Sequence, residues 1–490
     1  MSETVVAAIF EWAAKDPGRI ALEYNDEVWT YADFAHAIAR ARAFFHRRGT
    51  EGDGVAVLAV SHVREAWVLS AALRSLGLTT ISVQSPDMIP GLGLPDVRCV
   101  VGWAGERWPG LAERAAEAGQ PLILADYAAE APLALAATDY RQGGHILQTS
   151  GTTGTYKKIL MDPAWEPGYL RRRREASGAS ERDVVCLFDF ALWTGVGYKS
   201  PSNLWIVGGV IVFSQNRPPH LALRRPGLTN INMVPTILTG ILAQPQGSFP
   251  YSATAEAGIG GGAITQAEID QVKARIAPRL TNGLGATESH TIAITPMETP
   301  DDHRWHIPDP TSTVELVDDD DRPVAVGEIG RLRVATDGGP TGYLYDEEAT
   351  RTFFKDGYFY TGDLAVMRED GRIALMGRFT DVINVKGHKI QPAPIEERLR
   401  ERLAVSGVCL LSMQDTNGEE ALHAAIETSS PIEADRLSAA LQAEIEGFPG
   451  VHVHVLPALP RNAMGKIVRR ELAAKLAAGQ SAAGRGQPAS

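Results

Sequence analysis

Cysteine is scarce in this chain: Cys99, Cys186 and Cys409 are the three among 490 residues. Their spacing suits neither a disulfide framework nor a zinc motif, and so sparse a set fits a reducing compartment, the cytoplasm. Long hydrophobic runs are missing as well. The longest, Leu204 to Phe213, contains Gly208 and Gly209 and is too short to span a bilayer, so membrane insertion is not expected. Acidic residues Glu3, Glu11 and Asp16 break up the first apolar runs, which argues against a secretory signal. A surplus of positive charge is also lacking. Lys and Arg number 47 against 59 Asp and Glu, for a net charge of −12. That balance argues against nucleic-acid binding through a basic patch. No repeat of solenoid period is present.

What is present is enough apolar material, 44% of residues, for sizeable cores in more than one domain. Strand-like and helix-like segments alternate, as in α/β architecture. Val55 to Val60 reads as a buried strand, Ala66 to Leu76 as a helix, and Thr79 to Val83 as the next strand of a βαβ unit. Pro121 to Leu124, Val184 to Phe188 and Val210 to Phe213 read as further strands.

The most informative segment is Gln148 to Lys158. It follows the apolar His145-Ile146-Leu147 and packs Thr149, Ser150, Gly151, Thr152, Thr153 and Gly154 ahead of Lys157 and Lys158. Glycines let successive N–H groups turn toward one point, while hydroxyls and ammonium groups add donors, which suits a polyphosphate. It is not a Walker A loop, because Tyr156 stands where the second glycine belongs.

Four more segments follow: the turn Asn282-Gly283-Leu284-Gly285-Ala286-Thr287-Glu288, preceded by the glycine-rich Gly258 to Ala263; then Tyr360-Thr361-Gly362-Asp363; Gly377 to Ile390; and Leu459 to Ile467. In this order and spacing, the five resemble the signatures of the acyl-adenylate-forming superfamily of acyl-CoA synthetases, peptide-synthetase adenylation domains and luciferases.

The resemblance implies a fold and a set of roles. The fold is a large N-terminal domain of β-sheets layered with helices, residues 1–379, and a small mobile α+β domain, residues 380–478. Residues 479–490, rich in Gly, Ser, Ala and Gln, are expected to be a disordered tail. The 149–158 loop would hold the β- and γ-phosphates of ATP. Thr287 would bond the α-phosphate and Glu288 would hold Mg²⁺, a hard cation suited to carboxylate oxygen. Gly261, Gly262, Ala263, Asn282, Gly283, Leu284 and Gly285 would bind the adenylate. Leu284 stands where relatives carry an aromatic residue, so an aliphatic side chain faces the base. Asp363 would accept both ribose hydroxyls. Arg378 would reach ribose and phosphates, and Thr380 takes the hinge position. Gly387 would border the pantetheine channel of coenzyme A, where only a residue without a side chain leaves room. Lys466, in the frame Pro460-Arg461 to Gly465-Lys466, would bridge the carboxylate, the α-phosphate and the leaving oxygen.

The acyl pocket is expected to draw on Trp193, Val196, Tyr198, Ile259, Leu284 and His290, which suggests a flat or medium-sized apolar carboxylic acid. Asp189, in Phe188-Asp189, resembles the aspartate that amino-acid-activating domains set against a substrate ammonium, although its distance to Gly208-Gly209 is longer than theirs. Three readings follow: an acyl- or aryl-CoA ligase, a free-standing enzyme that loads a carrier protein, or a nucleotide-binding protein without turnover. The joint presence of Glu288, Asp363, Arg378 and Lys466 speaks against the third.

Other features are read more plainly. Arg171 to Arg174 could attract coenzyme A phosphates, but they read as the solvated face of a helix. Asp318 to Asp321 reads as an exposed hairpin turn without the glycine and distal glutamate of a calcium loop. His303 and His306 lack Cys or further His partners for zinc. His452 and His454 alternate on a strand and read as structural.

Overall fold

The computed structural model describes residues 2–135, 142–150, 156–188, 190–385, 388–414, 420–428, 432–444, 451–461 and 467–483. Among them, the large N-terminal part holds three sheets. The first runs Leu122–Ala125, Val97–Trp103, Val55–Leu58, Thr79–Ser82, His145–Ser150, Tyr156–Met161, and only the last pair is antiparallel. The second runs Thr291–Pro296, Arg279–Gly285, Glu256–Gly260, Asn230–Met233, Val184–Phe188, Val210–Ser214, Ile20–Tyr24, Glu27–Thr30. Its interior is parallel and its two outer pairs are antiparallel. The third, antiparallel, is built from Val314–Val317, Ile329–Ala335, Phe354–Lys355, Tyr358–Met367 and Ile373–Arg378.

The central parallel strands Val55–Leu58, Val184–Phe188 and Val210–Ser214 read as near-continuous apolar runs, as expected where a sheet is covered on both faces. The largest core fills the space among the helices Val5–Lys15, Tyr31–His46, Val63–Arg74 and Gly195–Val207, with Trp12, Trp67 and Trp205 at most 1% exposed. Local signals agree with these elements. Thr30 and Asp33 form a reciprocal capping box at the start of Tyr31–His46, and the Thr194 hydroxyl accepts from Gly197 N–H to open Gly195–Val207. That helix ends at Gly208 in the left-handed region, φ +86°, where a Cβ would also strike the Trp12 ring.

Beyond Arg378 the chain builds a smaller α+β unit. Gly407–Gln414, Glu420–Glu427 and Val451–Leu456 form one sheet, Ile383–Val385 and His388–Ile390 a short ribbon, and Pro392–Leu403, Ala434–Glu444 and Arg469–Ala483 the helices. Its two hydrophobic clusters draw their buried residues from position 383 onward.

Part of the stretch expected to be a tail, residues 479–483, is helical. The helix Arg469–Ala483 carries through Gly479 to Ala483, because Ala473, Ala474, Ala477, Ala478, Ala482 and Ala483 favour helix enough to absorb one glycine. The three cysteines are free and buried. Among the described residues, no helix is long and apolar enough to cross a membrane.

Candidate active site

The segment from Gln148 leaves the strand His145–Ser150 and returns antiparallel as Tyr156–Met161, pairing Thr149 with Lys157 and Ser150 with Tyr156. Gly151, Thr152, Thr153 and Gly154 lie outside the described residues. The Gln148 N–H donates to the Trp193 carbonyl at 3.1 Å, which ties this strand to the segment after Val184–Phe188. Lys157 Nζ lies 3.6 Å from the Phe353 ring centre and 5.0 Å from that of Tyr343. Burial lowers its pKa, while Glu288 and Asp346 pull it back up.

The turn after Arg279–Gly285 carries Thr287 and Glu288 into this region. Glu288 is buried, and its Oε1 accepts from the Tyr343 hydroxyl at 2.9 Å. The Thr287 side chain packs where a Cβ on Gly195 would come within 2.9 Å of its hydroxyl. Below the turn, the Lys199 ammonium donates to the Thr287 carbonyl at 2.9 Å and to Tyr169 Oη at 2.6 Å, and Tyr169 donates to the Ser289 carbonyl at 2.8 Å. Complete burial lowers the Lys199 pKa to about 7 and raises that of Tyr169 to about 12. His290 stacks on Tyr169 at 4.2 Å and donates from Nε2 to the Asp337 carbonyl. Burial lowers its pKa to about 4, so it is neutral.

On the third sheet, Asp363 and Arg378 face each other in register, with Nε 3.1 Å from Oδ1. Arg378 also donates to the Thr361 carbonyl at 2.5 Å, and a Cβ on Gly362 would come within 3.1 Å of its guanidinium. Arg378 acts electrostatically on both Lys157 and Tyr343. Lys157, Glu288, Tyr343 and the Asp363–Arg378 pair therefore share one region. Asn282 is buried on its strand, Gly261 has φ +83°, and Gly262 lies against Pro235. Ala263 follows that turn, and Leu284 packs partly against the cluster of Ile292, Leu316 and Leu332.

Two residues expected in the acyl pocket are buried among other side chains. Tyr198 is fully buried: its hydroxyl donates to Glu166, it accepts from Arg74 at 2.6 Å, and its ring stacks on Trp67 and His145. This aromatic residue at helix spacing packs within the core. Ile259 is likewise buried in the cluster around Met233, Leu238 and Leu280. Trp193 is partly exposed and Val196 exposed, while Asp189 lies outside the described residues.

Thr380 sits in the turn Phe379–Asp381, its hydroxyl 3.4 Å from Asp381 Oδ1. Gly387 and Lys466 lie outside the described residues. Arg461 and Ile467, which flank the lysine segment, form an antiparallel bridge. Arg461 pairs with Glu427 at 2.9 Å and Arg469 with Glu396 at 2.7 Å.

The arginines at 171–174 are not simply solvated. Arg171 pairs with Glu3 at 2.8 Å, Arg173 bonds the Thr291 hydroxyl at 3.2 Å, and Arg172 crowds Gly338. Asp321 closes the acidic turn by accepting from Tyr360 and pairing with Arg331 and Lys355.

Residues 134–344 match the family model described as AMP-binding enzyme. The chain therefore carries an AMP-binding enzyme domain over these residues. Proteins similar to this chain include tyrocidine synthase 3 of Brevibacillus parabrevis, 28% identical over 353 residues, which cover 67% of this chain and 5% of that protein. The 2-succinylbenzoate–CoA ligase of Listeria monocytogenes is 23% identical over 477 residues, covering 93% of this chain and 96% of that one. The O-succinylbenzoate coenzyme A synthetase of Bacillus subtilis, solved with ATP and magnesium ion, superposes with a TM-score of 0.78 at 19% identity, over 95% of this chain and 98% of that one. This chain thus spans a small fraction of the peptide synthetase and nearly all of the two ligases.

Sequence reasoning missed Lys199, Tyr169, Tyr343 and Phe353. The one signal for Tyr343 was an aromatic residue between Gly342 and the helix Glu347–Phe353, which is weak in isolation.

Proposed function

We propose that the chain is an AMP-forming acid–thiol ligase. It joins a carboxylate to ATP, releasing pyrophosphate and forming an acyl-adenylate. It then transfers the acyl group to the pantetheine thiol of coenzyme A, releasing AMP and a proton. The observation that carries this reading is the gathering of Lys157, Glu288, Tyr343 and the Asp363–Arg378 pair beside the Thr149–Lys157 hairpin.

A carboxylate is a poor acyl donor because its leaving group would be oxide, and AMP is a far better one. In this reading Lys157 and the 149–154 loop hold the outer phosphates, Thr287 bonds the α-phosphate, and Asp363 takes the ribose hydroxyls. Arg378 spans ribose and phosphate. Magnesium fits the donor chemistry, since Glu288 offers a hard carboxylate oxygen and Tyr343 orients that carboxylate. Once bound, the ion supplies positive charge against the phosphates. Lys466 offsets the charge that grows as the carboxylate attacks. The unit after Thr380 then turns, withdrawing Lys466 and bringing the Gly387 side to the thiol.

The acid is read as an apolar one of flat or medium size, bordered by Trp193, Val196 and His290. A second reading keeps the adenylation and changes the acceptor to a carrier protein, favoured by the likeness to tyrocidine synthase 3. Asp189 would then meet an amine, and Asp189→Ala would selectively lose amine-bearing acids. The test is ATP–pyrophosphate exchange across a panel of aryl, short, medium and amino acids. Acid-dependent exchange supports adenylation, and a flat response across a broad panel removes it.

A further inference from the structure

His303 and His306 do not form a pair. The His306 side chain is buried, and its pKa is lowered to about 4. His303 instead faces Glu397 and Glu401 on the helix Pro392–Leu403, and the three donor atoms lie within 4.8 Å of one another. The two glutamates are four residues apart, so they stand on one face of that helix. His303 comes from the large N-terminal part and the glutamates from the smaller unit. The cluster therefore joins the two.

We propose that His303, Glu397 and Glu401 form a site for a single divalent ion of the zinc type. One imidazole and two carboxylates make a borderline donor set that zinc accepts, with a position left for water. The imidazole is already oriented as a ligand: Nδ1–H donates to the Pro300 carbonyl at 2.6 Å, which leaves the lone pair on Nε2, 3.5 Å from Glu401 Oε1. Second-shell bonds of this kind fix the tautomer of metal-bound histidines. Zinc needs about 2.0–2.2 Å to each donor, so the three close on a central ion by shifts of roughly an ångström or less. The His303 side chain is 17% exposed and that of Glu401 38%, which leaves a path for the ion to enter. Burial raises the Glu397 pKa, and Arg400 and Arg304 nearby oppose a cation, so both weaken binding. A bound ion would cross-link the 299–306 loop to the Pro392–Leu403 helix.

The site spans the two parts whose relative turn the ligase reading invokes, so it would hold one arrangement of them, but its test needs no turnover. Metal-stripped full-length protein is titrated with Zn²⁺ alone by calorimetry, with no nucleotide present. The proposal expects one ion per chain and a rise in the thermal midpoint of unfolding. His303→Ala and Glu401→Gln should each weaken binding at least tenfold. Glu401 is exposed on a helix, so Glu401→Gln remains informative if His303→Ala fails to fold. Circular dichroism of each variant separates lost ligand from lost structure. No saturable binding overturns the proposal. So does stoichiometric binding that survives Glu401→Gln, which would place the ion elsewhere, such as the stacked His423, His452 and His454.

Discussion

Lys199 Nζ lies 2.9 Å from the Thr287 carbonyl, so a buried lysine on the helix Gly195–Val207 holds the turn that presents Thr287 and Glu288. Its other partner, Tyr169, holds the Ser289 carbonyl of the same turn. The turn is thus fixed from below by two residues that need never touch substrate.

Replacing Lys199 with Met should loosen this support. We expect a higher Mg²⁺ requirement with a smaller loss of turnover at saturating Mg²⁺, measured by steady-state titration of the ion. Lys199→Arg should restore part of the effect. The same variant tests the lysine's depressed pKa. Between about pH 7 and the ordinary lysine value, the folded protein binds fewer protons than the unfolded chain, so stability rises with pH across that window. Urea unfolding at several pH values should show this rise in the parent protein and a flatter profile in Lys199→Met.

Tyr343→Phe removes the donor to Glu288 Oε1 and little else, since the ring still packs on Phe353 and Phe354. Apparent Mg²⁺ affinity should fall by about tenfold. Glu288→Gln should lower the adenylation rate by about 10²–10³. Equal effects of the two substitutions would show that Tyr343 does more than orient the carboxylate.

Arg74→Met leaves Glu166 buried without its cation, where the two side chains are now 1% and 2% exposed and 2.6 Å apart. Loss of one partner from such a pair costs about 3–5 kcal/mol, read from denaturant unfolding. Tyr198→Phe, in the same network, should cost about 2–3 kcal/mol, since its hydroxyl bonds two buried charged groups. Acid selectivity should not change, which would confirm Tyr198 as core.

Lys466→Ala should abolish adenylation yet spare thioester formation from supplied acyl-adenylate, followed by single-turnover assays. Equal loss of both half-reactions would contradict a lysine that leaves the site between steps.

Much of the fold was legible because period and composition are local. Val184–Phe188 is a strand at the expected residues, and the first βαβ unit falls within a few residues of its expected limits. Of the motif residues that the structure describes, Lys157, Glu288, Asp363 and Arg378 come from segments spread over more than 200 positions and meet in one region. What stayed hidden depends on contacts across the chain. Lys199 looks like any helix lysine until Thr287 and Tyr169 fold onto it, and Tyr198 looks like a pocket aromatic until Arg74 and Glu166 enclose it. His303 was read as lacking metal-ligand partners, and no local spacing could point to Glu397 and Glu401, which lie nearly a hundred residues away.

The central claim is tested most directly by mass spectrometry of the full chain incubated with Mg-ATP, coenzyme A and a mixed panel of carboxylic acids. The account predicts AMP together with a new acyl-CoA mass, which also names the acid class. ADP in place of AMP, or no acid-dependent consumption of ATP across the panel, would contradict it.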